Sequence, residues 1–251
     1  MSSAAPKSLG FLTWNLANLA PSAQAPASWS LADSRRELAT KVRALKPDVV
    51  TVQEADRLDR IEGYTTVGSV RSHAGKLATL VADDYLASCS DEPVVLELDG
   101  FAVLTTLAVA APPSSDTPDH GDLVPLTVAN VHLEPYASGS DIRTGQLAAV
   151  VHASPTKALA AVGDTNARVA EMATFKRLGL MSPKPPSPTW DSFGNQFHDQ
   201  GRPFRTYFTR ALTSKGVALD DQQVWNHPLT RSGHRFHLSD HFALSGTLTL
   251  A

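Results

Sequence analysis

The chain has 251 residues, of which 42% are hydrophobic, and a formal net charge of −3. This apolar share can fill a large core, while the slightly acidic balance excludes a protein that binds nucleic acid through its whole surface. No apolar run approaches the roughly 18 residues needed to cross a bilayer, and the first residues lack the apolar region of a signal peptide. The single cysteine, Cys89, excludes an intramolecular disulfide. We therefore expect an intracellular protein, cytoplasmic or nuclear, that does not contact a membrane.

Short apolar runs alternate with turn residues along the chain and predict many strands and few helices. The predicted strands are residues 10–16, 48–53, 77–82, 94–98, 101–110, 124–133, 159–162, 207–212 and 242–250. Helices are predicted at residues 34–45, 141–152 and 167–178, the first with a capping box formed by Ser34 and Glu37. Residues 112–122 and 182–188 read as loops. The pattern predicts an α/β sandwich, with two sheets packed face to face and helices outside.

Polar residues end several of the predicted strands, where side chains can converge outside a sheet while apolar neighbours stay buried. The short segments that carry them end at Asn15, Glu54, His132, Asn166 and His241. Each segment alone is typical of a turn or of a core histidine. Their joint occurrence at strand ends favours one active site.

The residue types suit metal-assisted hydrolysis of a phosphodiester. Glu54 and Asp240 offer the hard oxygens that Mg²⁺ or Mn²⁺ prefers, and Asn15 fits as an amide ligand or as a holder of metal-bound water. We expect Asp164 to orient and deprotonate the attacking water, and Asn166 to fix that water or a phosphate oxygen.

Two histidines complete the predicted site. His241, when protonated, can stabilise the negative charge that develops on the phosphate, and His132 can do the same from the other side.

These segments resemble motifs of the endonuclease/exonuclease/phosphatase superfamily, and most closely those of the tyrosyl-DNA phosphodiesterase 2 family. The four matching motifs, over nearly the whole chain, are Thr13-Trp14-Asn15, Val52-Gln53-Glu54, Gly163-Asp164-Thr165-Asn166 and Ser239-Asp240-His241-Phe242. The resemblance implies a four-layered α/β sandwich with two mostly antiparallel sheets. It also implies one catalytic domain over residues 9–251, after a flexible segment of residues 1–8.

Further matches to the same family suggest substrate-binding residues. Trp190 lies in a segment whose tryptophan lines the substrate groove in the family. Arg143 and Gln146 share a helix face and are expected either to contact phosphate or to pair with Glu134. The segment from Phe204 to Ala211 resembles the family's F-D-R-I-F-F-R-A strand, in which the aspartate hydrogen-bonds the catalytic histidine. Arg205 falls at that position, and arginine cannot take this role because it has no acceptor; Asp199 is the alternative acceptor.

Three functions remain open at this point. The first is a Mg²⁺-dependent (or Mn²⁺-dependent) 5′-tyrosyl-DNA phosphodiesterase, a DNA-repair nuclease that acts as a monomer at a DNA 5′ end, also when that end is linked to protein. The second is another hydrolase of the superfamily that acts on RNA, nucleotides or a small phosphodiester. The third is a non-catalytic binding protein on this fold, which the convergence of several carboxylates disfavours because they repel one another without a cation.

Overall fold

The structure is a computed structural model, and it describes residues 8–72, 74–89, 91–110, 123–192 and 204–250. The predicted loop at residues 112–122 and all but the last residue of the predicted flexible segment 1–8 lie outside these ranges. Within them, no helix is both long and apolar enough to span a membrane.

Strands dominate the chain, as the sequence predicts. In chain order they are β1 (Ser8–Asn15), β2 (Val49–Gln53), β3 (Tyr64–Ser72), β4 (Gly75–Ala82), β5 (Val94–Leu98), β6 (Ala102–Ala110), β7 (Leu123–His132), β8 (Leu159–Asp164), β9 (Leu180–Met181), β10 (Trp190–Asp191), β11 (Arg205–Thr206), β12 (Thr209–Ser214), β13 (Val217–Trp225), β14 (Leu229–Arg231), β15 (His234–Phe236) and β16 (Ala243–Leu250). The α-helices are α1 (Leu31–Leu45), α2 (Asp83–Ser88), α3 (Ser140–Ala153) and α4 (Met172–Arg177).

The strands form two six-stranded sheets and two short hairpin-like pairs. The first sheet has the order β13-β16-β1-β2-β4-β3, and the second has the order β5-β6-β7-β8-β12-β9. All neighbours are antiparallel except β1 with β2 and β7 with β8. The prediction of two mostly antiparallel sheets is therefore confirmed.

Three apolar clusters make this arrangement a four-layered sandwich. The first cluster lies between the sheets and joins Phe11 and Val49 of one to Val128 and Val162 of the other. A second cluster packs α1, through Leu38 and its neighbours, on the outer face of the first sheet. The third packs α3 and α4 on the outer face of the second sheet. The predicted fold class is confirmed.

The helix boundaries differ from the sequence prediction at two places. Helix α1 begins three residues earlier than expected, because Ser30 and Asp33 form the capping box in place of Ser34 and Glu37. Ser34 is instead fully buried in the helix interior. The helix predicted at residues 167–178 is shorter, since Val169–Glu171 form a 3₁₀ turn before α4.

A polar bridge crosses the apolar interior between the two sheets. The Nε2 atom of Gln53 donates to Oδ1 of Asn130 at 2.7 Å, and Nδ2 of Asn130 donates to the carbonyls of Val52 and Ala78 at 3.1 and 2.9 Å. Both side chains are fully buried. Because buried polar groups cost free energy unless they are paired, this bridge fixes one alignment of the sheets next to the strand ends that carry the site.

Candidate active site

Four strand ends meet at one edge of the sandwich. The parallel pairing of β1 and β2 sets Asn15 opposite Gln53, so Asn15 and Glu54 lie at the same edge. Strands β7 and β8 likewise set His132 opposite Asp164. Because Nδ2 of Asn15 lies 3.0 Å from Oδ2 of Asp164, the two edges are in direct contact.

Asn15 holds the two carboxylates of the site. Its Oδ1 accepts the backbone N–H of Ala17 at 3.0 Å, and this donor fixes which end of the amide is oxygen. Its Nδ2 then donates to Oε1 of Glu54 at 2.9 Å and to Oδ2 of Asp164 at 3.0 Å. The amide of Asn15 thus engages two carboxylates and a backbone N–H, and its two expected roles, metal ligand or holder of metal-bound water, stay predictions.

Asp164 is fully buried and is surrounded by donors. Besides Asn15, its Oδ1 accepts the backbone N–H of Asn166 at 3.0 Å, and its Oδ2 lies 3.4 Å from Nε2 of His241 and 3.6 Å from Nε2 of His132. Burial raises the pKa of this carboxyl, but the two histidines and the hydrogen bonds together outweigh burial and lower the pKa below its ordinary value. Asp164 is therefore a carboxylate at neutral pH.

The pKa of Glu54 is shifted in the opposite direction, upwards, although the residue lies beside Asp164. Burial raises the pKa of its carboxyl, and repulsion from Asp240 and Asp164 raises it further, against the hydrogen bond from Asn15. The residue has a positive φ of 49° directly after β2, which turns its half-buried side chain to the strand ends. Two partly exposed carboxylates, Glu54 and Asp240, thus repel each other at the more open side of the site.

This pair of carboxylates fits a hard divalent cation. Among the described residues, no group of three or more His, Cys, Asp or Glu side chains is placed to hold a metal ion. Mg²⁺, however, keeps several waters and is held by one or two carboxylates, so Glu54 and Asp240 supply a sufficient donor set. Burial is the main cause of the raised pKa of Glu54, and the repulsion from Asp240 and Asp164 that adds to it is what such a cation would relieve.

His241 is fixed by a residue that the sequence reasoning missed. Its Nδ1 lies 3.2 Å from Oγ1 of Thr209, a fully buried residue at the start of β12. Its backbone is held as well, since the carbonyl accepts from Nε1 of Trp14 at 2.9 Å and the residue forms a β-bridge with Trp190. Nε2 is left to face Asp164.

The position of Thr209 corrects the expectation for Arg205. Arg205 lies in β11, where Nε donates to Oδ2 of Asp191 at 2.9 Å, and its side chain is 60% exposed. The residue that faces His241 lies four positions later, at Thr209. Threonine, not arginine, therefore has the contact with the histidine that the resemblance gives to an aspartate. The other substitute for that aspartate that the sequence offers, Asp199, lies outside the described residues.

The rings of Trp190, Phe204 and Phe208 pack together beside His241 and form an aromatic wall. Trp190 is 6% exposed and packs on Phe204 and Phe208, with ring centroids 4.4 and 5.9 Å away. The ring of Phe208 lies 6.2 Å from that of His241, and Phe204 is 48% exposed. Trp190 is thus mainly a packing partner that supports the wall next to the site.

Arg143 and Gln146 belong to the scaffold. Arg143 is fully buried, and its guanidinium binds both oxygens of Glu171 at 2.8 Å and the carbonyls of Glu134 and Tyr136 at 2.7 and 2.6 Å. Gln146 accepts the backbone N–H of Glu134 at 3.0 Å. Of the two expected roles, the structure thus gives both residues a contact with Glu134, through its backbone. For Arg143, these bonds and the pair with Glu171 engage the guanidinium nitrogens that would otherwise reach a phosphate.

Asn166 and Arg168 complete the loop after β8. Asn166 has a positive φ of 49°, and its Nδ2 donates to the carbonyl of Leu133 at 3.0 Å. Arg168 was not singled out from the sequence, although it follows the Gly-Asp-Thr-Asn motif by two residues. It donates to the carbonyl of Asn166, and its Cζ lies 4.7 Å from the ring centroid of Phe208. A half-buried cation therefore lies next to the aromatic wall.

Comparisons with known proteins agree with this fold. The model of the Endonuclease/Exonuclease/phosphatase family matches residues 12–241. No sequence of curated function matches significantly. The fold is similar to that of D. rerio TDP2 complexed with single strand DNA product, with a TM-score of 0.67 and 20% identity over 96% of this chain and 99% of that one.

Two further structures are similar over nearly all of this chain. TDP2 from C. elegans has a TM-score of 0.68 and 17% identity, over 100% of this chain and 78% of that one. The endonuclease domain of the telomere-specific retrotransposon TRAS1 has a TM-score of 0.58 and 16% identity, over 97% and 99%. At these identities the similarity establishes a shared fold.

Proposed function

Because the chain belongs to the endonuclease/exonuclease/phosphatase family, whose members hydrolyse phosphoester bonds, we propose that it is a divalent-metal-dependent phosphodiesterase that acts at a DNA 5′ end, as a 5′-tyrosyl-DNA phosphodiesterase does. The observation that carries the proposal is the environment of the Asp164 carboxylate. One ionised carboxylate lies within hydrogen-bonding distance of Asn15 and within 3.6 Å of two histidine rings, at the mouth of the sandwich. The TDP2 structure with its DNA product supports the choice of substrate.

Asp164 would orient the attacking water. Its lowered pKa keeps the carboxylate charged, so it accepts a hydrogen bond from water and aligns the water for in-line attack. A strong base is not required, because a bound cation lowers the pKa of a coordinated water and neutralises charge on phosphate oxygens. Asn166 would assist from the neighbouring loop, where its backbone is already bound to Asp164.

Glu54 and Asp240 would hold that cation. Their side chains lie at the more open side of the site, whereas Asp164 is fully buried. Asn15 positions Glu54 through its amide, so the ligand is oriented before any ion binds.

The two histidines would stabilise charge on the phosphate. Nε2 of His241 and Nε2 of His132 approach Asp164 Oδ2 at 3.4 and 3.6 Å, and a phosphoryl group seated beside Asp164 would lie within reach of both. In the protonated form both rings donate hydrogen bonds, which strengthen as negative charge develops.

The leaving group would lie against the aromatic wall. Phe204 and Phe208 supply an apolar surface beside His241, and the guanidinium of Arg168 lies over Phe208. Such a surface suits an aryl ester such as phosphotyrosine, since aromatic rings pack on one another and on guanidinium groups.

A second candidate is hydrolysis of RNA, nucleotides or a small phosphodiester. The observation that favours it is the edge strand β5 and its turn, where Glu97 is exposed and Asp99 follows without any Lys or Arg between residues 94 and 104. An acidic edge would repel an extended duplex.

One assay separates these functions and the non-catalytic alternative. The protein is incubated with Mg²⁺ and a 5′-phosphotyrosyl oligonucleotide, beside plain single-stranded DNA, RNA and a generic phosphodiester. Release of a 5′-phosphate from the first substrate alone supports the proposal, with Asp164→Asn as the matched inactive control. Preferential cleavage of RNA or of the generic ester supports the second candidate. No turnover, together with no Mg²⁺ binding by calorimetry, supports a binding protein.

A further inference from the structure

The hairpin of β14 and β15 carries a local positive charge on an otherwise acidic chain. No acidic residue occurs between Asp221 and Asp240, whereas that segment contains Arg231, His234 and Arg235, all of them exposed. Among the residues that the structure describes, neither arginine forms an ion pair. Two unpaired, strongly charged side chains on one exposed hairpin are available to an anionic partner.

The hairpin is anchored, so that it presents these charges in a fixed place. Its turn residues, Ser232 and Gly233, have positive φ values of 49° and 78°, as a tight two-residue hairpin turn requires. Nδ1 of His234 lies 3.1 Å from the carbonyl of Gln24, and Phe236 is fully buried against Trp29 with ring centroids 4.7 Å apart. These contacts tie the hairpin to the segment that precedes α1.

The hairpin also leads directly into the candidate active site. Arg235 precedes Asp240 by five residues, a span of at most about 18 Å of chain. Between them, the hydroxyl of Ser239 donates to the carbonyl of Asn15 at 2.6 Å, which fixes the segment to the end of β1. Arg231 lies across the hairpin from His234, so both arginines lie within a few nucleotide lengths of Asp240.

We propose that the β14–β15 hairpin binds the sugar-phosphate backbone of a single-stranded nucleic acid whose end occupies the active site. Arg231 and Arg235 would each contact phosphate downstream of the scissile bond, which positions the strand without reading its sequence. This deepens the proposed function and rests on it for the direction of the strand. It explains how a chain with net charge −3 can bind a polyanion, since the required charge is concentrated beside the site.

The test measures binding, which does not depend on turnover. Fluorescence anisotropy in EDTA gives the dissociation constant for a single-stranded oligonucleotide of about twelve nucleotides and for a dinucleotide. We expect Arg231→Gln/Arg235→Gln to weaken binding of the longer strand roughly tenfold more than binding of the dinucleotide. The slope of log K against log salt should fall by about 0.7 for each phosphate that the variant no longer neutralises.

Two matched variants make the outcome decisive. Lys157→Gln/Lys215→Gln removes the same charge beyond the opposite ends of β8 and β12, and should leave the dissociation constant unchanged. Arg231→Lys/Arg235→Lys keeps the charge and should restore most of the affinity, which excludes loss through misfolding. An equal loss in the Lys157/Lys215 control, an equal loss for both substrate lengths or an unchanged salt slope would overturn the proposal. If the hairpin variant loses affinity while the wild type cleaves none of the nucleic acids, the hairpin proposal stands and the proposed function fails.

Discussion

Oγ1 of Thr209 lies 3.2 Å from Nδ1 of His241, so a neutral hydroxyl occupies the place from which a carboxylate would pair with this ring. A hydroxyl can either donate to the ring nitrogen or accept from it, so it orients the imidazole in both protonation states. A carboxylate would favour only the charged ring. The orientation of His241 is thus kept while the electrostatic support is lost.

The first prediction concerns this hydrogen bond. Thr209→Val keeps the shape of the side chain but removes the hydroxyl, so His241 loses its orientation. We expect kcat on the preferred phosphodiester to fall by about 10- to 100-fold while KM changes little, the range seen when the partner of a functional histidine is removed. Thr209→Ser should retain most of the activity. A fall in KM and kcat together, or no rescue by serine, would show that Thr209 acts only in packing.

A second prediction follows from the raised pKa of Glu54. A carboxyl whose folded-state pKa is raised binds more protons in the folded state, so its unfavourable effect grows as pH rises through the ordinary and then the raised value. Glu54→Gln removes that charge and should raise Tm at pH 7 in EDTA. Metal-dependent hydrolysis should be abolished. Addition of Mg²⁺ should raise the Tm of the wild type and not of the variant; an equal rise in both would remove Glu54 from the metal site.

A third prediction concerns Asp164, whose charge should affect the stability of the fold in the opposite direction to that of Glu54. Because its pKa is lowered in the folded state, its contribution to stability is present above the unfolded pKa and is lost as pH falls through the folded value. Asp164→Asn should therefore lower the free energy of unfolding at pH 7, by about 1–3 kcal/mol for a buried acceptor that loses partners. Turnover should fall by about 10²- to 10⁴-fold. Denaturant titration of both variants tests the contrast, and a stabilised Asp164→Asn protein would contradict it.

The buried pair of Arg143 and Glu171 gives a fourth prediction. Removal of one partner leaves a buried charge, so Arg143→Met should lower the free energy of unfolding by about 3–5 kcal/mol. The comparison is Arg205→Gln, whose pair with Asp191 is exposed and should contribute less than about 1 kcal/mol. Urea titration measures both. If Arg143→Met folds with unchanged stability but a raised KM, Arg143 contacts the substrate after all.

The strand ends of the site could be predicted from the sequence because continuous apolar runs marked the central strands. Strand β2 is fully buried along Val49–Gln53, and so is β8, so their polar ends stood out. Strands β3 and β13 were missed because they lie at sheet edges and are partly exposed, which weakens the apolar signal. Residues 217–225 even contain two adjacent aspartates at Asp220 and Asp221.

Thr209 could not be identified because the local sequence offers two registers. Phe204 and Phe208 are four residues apart, and both fit the aromatic position that begins the family segment. The arginine two places after Phe208 was the available signal, since Phe208-Thr209-Arg210 keeps it and Phe204-Arg205-Thr206 does not. Cross-strand pairing of Thr209 with Asp164 decides the register, and such pairing between distant strands is not visible in a single sequence.

The side-chain amide of Asn15 links the two sheets at the edge that carries the site, since it donates from the first sheet to Asp164 in the second. Gln53 and Asn130 make a similar link between the sheets in the buried interior beside it. The distances between the side chains of the candidate site therefore depend on how the two sheets are aligned with each other. A substitution anywhere in the apolar interior that slides one sheet along the other by a fraction of an ångström would be felt first as a change in rate, before it is felt as a loss of structure.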